Sequence, residues 1–325
     1  MKFRVILIIM AVLTAIIPLC SCKNDKLPIV VDVTPAETAP ESPSDATPGS
    51  HEVLTETEVP INPESPVSFV DPYFEAAVRE IIEKPIGNIY ASELSEIKEL
   101  SLRVRGIRYL DDVIYFTSLE ELDIYGNKVC DISPLASIQT LKKLTVRGNY
   151  SSVLDKSGQT GLSLRPLANL VKLEFLDVSS NSINDVSPLI YLTNLKYLDI
   201  SGNKISSITA LENLVNIIYL DASNNRLSDC SALSHMTKLQ NLILTNNHYV
   251  ELSNNVPVIE TGIQDLSFLS VGFDNLSKLY CGNNLISDFS FLDSLSKLSE
   301  FEYAGNPVAD ITPIKRFIAL HNFGG

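Results

Sequence analysis

Aromatic and acidic side chains recur together at a spacing of 22 residues in the middle of the chain. The pairs are Phe175 with Asp177, Tyr197 with Asp199, and Tyr219 with Asp221. Residues two apart on a strand point to the same side, so each ring and its carboxylate would share one face. Aromatic anchors beside charges are typical of protein-binding hot spots. The pattern predicts non-covalent recognition; the alternative is that the aspartates only keep a repeat soluble.

Enzymatic chemistry has no comparable signal. The sequence contains no CxxC, HExxH, GxSxG or phosphate-loop motif, and its histidines, at 51, 235, 248 and 321, are far apart in the repeat register. Ca²⁺ takes about six to eight oxygen ligands, whereas each rung of an aspartate ladder offers one carboxylate. We therefore expect a non-enzymatic protein without a cofactor or a metal.

The elements that position these residues repeat as LxxLxLxxN. Each copy begins at a leucine or isoleucine, at positions 119, 141, 173, 195, 217, 239, 276 and 298. The ninth position is asparagine in all eight: Asn127, Asn149, Asn181, Asn203, Asn225, Asn247, Asn284 and Asn306. A degenerate first repeat, 97–118, has Arg105 there. Such a unit cannot bury its own apolar side and must stack on its neighbours.

This pattern, with its DISPL-like returns, resembles the leucine-rich repeat, in particular the 22-residue class of the bacterial internalins. The resemblance covers residues 74 to about 317. It implies a curved α/β solenoid with a parallel sheet on the concave face, short turns or 3₁₀ segments on the convex face and a helical N-terminal cap. It also implies a structural role for the asparagines and, by analogy, adhesion. In this register Cys230 and Cys281 occupy core positions, and no disulfide is assigned.

Other side chains share the predicted concave face with the aromatic residues. Tyr125 and Arg147 stand in the third outward column, and Tyr280 follows the central leucine of its repeat. Basic residues near the first rungs, Arg103 and Lys143 among them, could steer an acidic partner.

The spacing of 22 is broken twice, by 32 residues after Leu141 and by 37 after Leu239. Both inserts, 150–163 and 248–262, follow the asparagine and are expected to emerge as loops on one edge. Insertions in repeat arrays often lie on the binding side, which makes Tyr150, His248 and Tyr249 candidates; tolerated drift is the alternative.

The N-terminus reads as an export signal, with Lys2 and Arg4 before an apolar run that ends in LCSC. This resembles a lipobox, which implies a signal peptide over 1–21 and lipidation of Cys22. The alternative is an uncleaved anchor. Both place the rest of the chain outside the cytoplasmic membrane, with no membrane contact beyond the anchor.

A tether is predicted over 22–70, where prolines alternate with Thr, Ser, Ala and Glu, since this composition cannot bury enough surface to offset its ordering entropy. It would serve as a spacer or as a passive leader. A helical cap follows at 71–96, then about nine repeats at 97–320 and a tail at 321–325. Phe317, Ile318, Leu320 and Phe323 are expected to fold back over the last repeat; an exposed end that dimerises is the alternative to a monomer.

The net charge of the chain restricts the class of molecule that it is expected to bind. The 325 residues include 39 acidic and 25 basic side chains, a net charge of −14, which argues against a nucleic-acid ligand. The sequence therefore predicts a lipid-anchored surface protein that binds a protein ligand in an adhesion-type role. A glycan ligand or an envelope-assembly partner on the same cell is the alternative.

Overall fold

The computed structural model describes residues 62–149, 161–253 and 256–320. These residues form a helical cap, a stack of repeats and a C-terminal helix. Several predicted features lie outside these residues. They are the signal peptide, Cys22, Tyr150, Phe323 and most of the tether, of the first insert and of the tail. Within the described ranges, no helix is both long and apolar enough to cross a membrane.

The cap contains helices α1 (Pro72–Ile81) and α2 (Ala91–Ser95). Asp71 begins α1, because one of its carboxylate oxygens accepts hydrogen bonds from the backbone N–H groups of Tyr73 and Phe74, at 2.8 and 3.2 Å. The buried face of α1 consists of residues three and four apart: Phe74, Ala77 and Val78.

Asp71 also joins the cap to the first repeat. Its second oxygen accepts hydrogen bonds from the backbone N–H groups of Arg108 and Tyr109, at 2.6 and 3.0 Å, and the residue is almost fully buried. On the surface of the same junction, the guanidinium of Arg105 pairs with Glu80 of α1 at 2.6 Å. The residue that replaces asparagine in the degenerate repeat thus contacts the cap.

The last residues of the predicted tether, before residue 70, contact the cap. The Val67 N–H donates to the Ile89 carbonyl at 2.8 Å, and Pro66 forms a bridge with Tyr90. The Phe69 ring lies 6.2 Å from that of Phe74. The side chains of Val67 and Phe69 are partly buried against the core, so the last residues of the Pro-rich stretch pack on the cap.

Nine short parallel strands form one sheet, in the order β1 to β7, then β10 and β11. Their bounds are β1 Glu99–Ser101, β2 Glu121–Asp123, β3 Lys143–Thr145, β4 Phe175–Asp177, β5 Tyr197–Asp199, β6 Tyr219–Asp221, β7 Asn241–Ile243, β10 Lys278–Tyr280 and β11 Glu300–Glu302. Between them, β8 (Tyr249–Ser253) and β9 (Val256–Thr261) pair antiparallel. The second insert, expected only as a loop, therefore forms a β-hairpin.

The strand register follows the 22-residue repeat. The central leucines pair in sequence from Leu100 to Leu279, and Leu279 pairs with Phe301. These leucines are at most 2% exposed, while Phe301 at the end of the stack is half-buried. Cys230 and Cys281 are buried among them, and burial raises the pKa of both thiols, which makes them unreactive core residues.

The side of each coil away from the sheet is a 3₁₀ turn, so the predicted fold class is confirmed. These turns are Asp111–Tyr115, Ser133–Ser137, Arg165–Leu167, Ser187–Leu189, Thr209–Leu211, Ser231–His235, Ser267–Ser270 and Ser290–Ser294. Each contributes a buried leucine or valine, such as Leu189 or Val113, to the core.

The asparagine side chains join successive coils. The Asn203 amide donates to the carbonyls of Ile200 and Ser201 in its own coil and of Val178 in the previous one, at 2.8, 3.1 and 3.2 Å. Its oxygen accepts from the N–H groups of Asn181 and Ile183. Seven of the eight asparagines are at most 8% exposed; Asn306, at the end, is half-buried.

The C-terminal end is covered by helix α3 (Thr312–Leu320). Ile314 and Phe317 are buried, and the Phe317 ring packs edge-on against Phe301, with centroids 5.6 Å apart. The expectation for Phe317 was correct, but that for Ile318 and Leu320 was wrong, since they are 36% and 76% exposed. A helix presents residues three apart, here 314 and 317, to the same side.

Replacing Asn203 with Ala should lower the free energy of unfolding by about 3 kcal/mol, because it leaves several buried carbonyl and N–H groups without partners. Urea unfolding measures the change. The control is Asn194→Ala, at an exposed asparagine that donates to the Val171 carbonyl, with an expected change below about 0.5 kcal/mol. Equal losses in the two variants would contradict the structural role of the buried amide.

Candidate functional site

Three aromatic rings form a continuous stack across β4, β5 and β6. The centroids of Phe175 and Tyr197 are 4.1 Å apart, with planes 11° apart; those of Tyr197 and Tyr219 are 4.3 Å and 5° apart. The parallel register places these residues side by side. The Lys143 ammonium lies 5.5 Å from the Phe175 centroid and extends the series with a cation–π contact. We call the three rings the aromatic stack.

Asp177, Asp199 and Asp221 form a second row on the same face, which we call the carboxylate row. In each, Oδ1 accepts a hydrogen bond from the backbone N–H two residues later, at 2.9–3.0 Å. The hydroxyls of Ser179 and Ser223 donate to the same oxygens of Asp177 and Asp221, at 2.6 Å. These bonds fix the direction of the carboxylates.

The carboxylate row is poorly hydrated. Asp177 and Asp199 are only 8% and 6% exposed. Burial, with the neighbouring charges of Asp177 and Asp221, raises the pKa of Asp199 from 3.8 to about 6, against the opposing hydrogen bonds from Ser201. Burial also raises the pKa of Tyr197 and of Tyr219, so both phenols are neutral at physiological pH.

The charges that flank the carboxylate row are already paired. Lys143 contacts Glu121 at 3.2 Å, and Arg103 contacts Asp123 at 3.4 Å. Beyond β7, Lys278 contacts Glu300 at 2.6 Å, and the Tyr280 hydroxyl donates to the same carboxylate. Tyr280 thus lies on the predicted face but in a separate group.

Tyr125 and Arg147 also lie apart from the aromatic stack, in the third outward column. The Tyr125 ring has guanidinium groups near it from two coils, Arg103 at 5.0 Å and Arg147 at 5.9 Å from the centroid. Both distances are within the range of cation–π attraction. The sequence identified Tyr125 and Arg147, but their contact depends on the register of neighbouring coils.

The hairpin β8–β9 carries two of the predicted insert residues. The Tyr249 ring packs against the Arg226 guanidinium at 4.3 Å, and His248 Nε2 lies 2.9 Å from Glu260 Oε1. Sequence reasoning missed Arg226 and Glu260. Arg226 directly follows Asn225, the last motif residue before the coil return, and this position was the signal available for it.

A groove of about 420 Å³ lies at the cap end of the sheet and was not predicted. It is lined by Ile81 of α1 and by residues of β1, β2 and β3, including Glu99 and Lys143. The cap has no periodicity that would place Ile81 beside the strands. The mixed charges and the single exposed apolar side chain give the groove no identifiable chemistry.

The stacked strands, 3₁₀ returns and asparagine ladder define a leucine-rich repeat protein. Residues 163–213 match the family model described as Leucine Rich repeats (2 copies). No curated protein matches the chain.

Among solved structures, the chain is similar to internalin C2 from Listeria monocytogenes, at 27% identity over 73% of this chain and 94% of that one, with a TM-score of 0.63. Internalin InlF from the same species matches at 24% identity over 77% and 80%, with a TM-score of 0.51. The leucine-rich repeat protein LIC12759 of Leptospira interrogans matches at 20% over 71% and 60%, with a TM-score of 0.54. The chain thus has the leucine-rich repeat fold and is similar to an internalin. The likenesses to InlF and LIC12759, both under 25% identity, concern the fold alone.

Asp199 should make the stability depend on pH. Because its folded-state pKa of about 6 exceeds the ordinary 3.8, the folded state holds the proton more tightly. The carboxyl therefore costs no stability below about pH 4 and becomes destabilising as the pH rises through 6. The free energy of unfolding of the Asp199→Asn variant, relative to that of the wild type, should therefore increase by about 2–3 kcal/mol between pH 4 and pH 7. Urea unfolding at the two pH values measures this change. A carbon NMR titration of the Asp199 carboxyl with a midpoint near 4 would contradict this account.

Proposed function

We propose that the protein is a non-catalytic lipoprotein of the bacterial cell surface that binds a protein partner in an adhesion-type role. The observation that carries the proposal is the aromatic stack, Phe175, Tyr197 and Tyr219, on the outward face of the sheet. This face is the concave one in the leucine-rich repeat fold. The rings are half-buried by their neighbours alone, and a partner that covered their edges would remove further apolar surface from water.

The geometry of the stack favours a protein over a glycan. A pyranose ring packs against the face of an aromatic ring, and the faces of Tyr197 are covered by Phe175 and Tyr219. One outer face of Phe175 is also occupied, by the Lys143 ammonium. Apart from the outer face of Tyr219, the parts of the stack left uncovered are ring edges and hydroxyls, which suit the mixed apolar and polar surface of a protein.

The surface location rests on the sequence. The LCSC motif supports lipidation of Cys22, and the Pro-rich stretch that follows would lift the repeats off the membrane. At least two acyl chains, as the lipoprotein modification supplies, would make the anchoring stable.

The aromatic stack can be tested with the double variant Tyr197→Ala, Tyr219→Ala. Immobilised full-length protein would capture partners from surface extracts of its own cells and of neighbouring or host cells, and mass spectrometry would identify them. Against the purified partner, the variant should lose about 2–4 kcal/mol of binding free energy, a thirty- to several-hundred-fold weaker Kd.

The matched control is Tyr73→Ala, Tyr191→Ala, which removes two tyrosines that are 57% and 69% exposed and lie off the sheet. Its affinity should stay within about twofold of wild type. Unchanged affinity in the sheet variant, with its urea midpoint preserved, would refute the assignment of this face. A partner from the cell's own envelope would point to an assembly role, and a foreign one to adhesion.

A further inference from the structure

The carboxylate row has no cation, whereas the acidic side chains next to it do. Arg103, Lys143 and Lys278 pair with Asp123, Glu121 and Glu300 beside the row. Within the described ranges, no Lys, Arg or His makes an ion pair with Asp177, Asp199 or Asp221. The middle of the sheet is therefore left negative, while the acidic groups on strands β2 and β11 are paired with cations.

Each carboxylate of the row also has an oxygen to spare. The hydrogen bonds from Ser179, Ser201 and Ser223 all go to Oδ1. No fully buried side-chain oxygen in the described residues lacks a partner, so the Oδ2 atoms, which accept none of these bonds, keep a small contact with solvent. Three acceptor oxygens thus follow one another at about 4.8 Å, the spacing of neighbouring strands.

The free protein holds these charges together at a cost. Desolvation by burial, together with the repulsion of like charges on adjacent rungs, raises the pKa of Asp199. The positive charge of a cation from outside would offset the repulsion among the carboxylates. It would also lie beside the aromatic stack, about 7 Å away along the strands, where the edges of Tyr197 and Tyr219 can pack against an aliphatic stem.

We propose that the partner presents a basic segment whose arginine or lysine heads contact Asp177, Asp199 and Asp221 and whose stems lie along the edges of Tyr197 and Tyr219. This inference rests on the proposed function and adds the chemistry of the partner. Charge complementarity selects the occupant, because an acidic centre without a cation, next to acidic groups that are paired, fits a cationic side chain. The three aspartates are spread along the row, and no group of His, Cys, Asp or Glu in the described residues is arranged to hold a metal ion.

The test uses labelled oligoarginine, oligolysine and oligoglutamate peptides of equal length, with the full-length protein and fluorescence anisotropy as the readout. The two basic peptides should bind, and the acidic one should not. The triple variant Asp177→Asn, Asp199→Asn, Asp221→Asn should weaken binding of the basic peptides by about tenfold, because it removes the negative charges that the peptides contact; a tenfold change in Kd is about 1.4 kcal/mol.

A matched variant separates the carboxylate row from the overall negative charge. Glu96→Gln, Glu212→Gln, Asp274→Asn removes the same three charges at exposed positions outside the row and should change affinity less than twofold. Equal weakening in the two variants, or no binding of a basic peptide to the wild type, would overturn the proposal.

The captured partner distinguishes this inference from the proposed function. If its binding needs Tyr197 and Tyr219 but is unchanged by the triple aspartate variant, the binding role of the face stands and the basic-segment proposal fails. If binding needs neither the tyrosines nor the aspartates, the face itself is refuted. Loss in both sheet variants, with the matched controls intact, is the expected result.

Discussion

The buried asparagine amide is the interaction on which the array depends. A strand of three residues cannot bury its own leucines, so every coil relies on its neighbours for its core and for its hydrogen bonds. The Asn203 amide donates hydrogen bonds to carbonyls of two coils, and its oxygen accepts hydrogen bonds from N–H groups of the preceding coil. This arrangement fixes the vertical spacing of the strands, and with it the position of every side chain on the outward face.

The aromatic stack is a direct product of that spacing. Residues 175, 197 and 219 are paired on adjacent strands, and planar side chains at this separation pack face to face. The same register brings Asp177, Asp199 and Asp221 together, which is unfavourable for their charges. The proposed recognition surface thus lies where the repeat places similar side chains next to one another. The stacking stabilises the rings, whereas the repulsion between the carboxylates is unfavourable in the free protein.

The periodic part of the molecule was predictable and the rest was not. A repeat of 22 residues placed the leucine columns, the asparagines and the outward residues, because stacking converts sequence spacing into spatial position. The Asp71 junction, the packing of Phe69 and helix α3 depend on contacts without a period. At the candidate site, the members of both rows followed from the sequence, but the shift in the pKa of Asp199 and the pairing of the flanking charges required burial and distances.

The hairpin β8–β9 enters between β7 and β10 without disturbing their pairing. Its two strands pair their backbone hydrogen-bonding groups with each other, so the main cost of the insertion to the array is the entropy of closing the loop. This cost grows by only about 0.6 kcal/mol for each doubling of loop length. Lengthening, exchanging or deleting this hairpin would therefore leave the register of the stacked repeats unchanged.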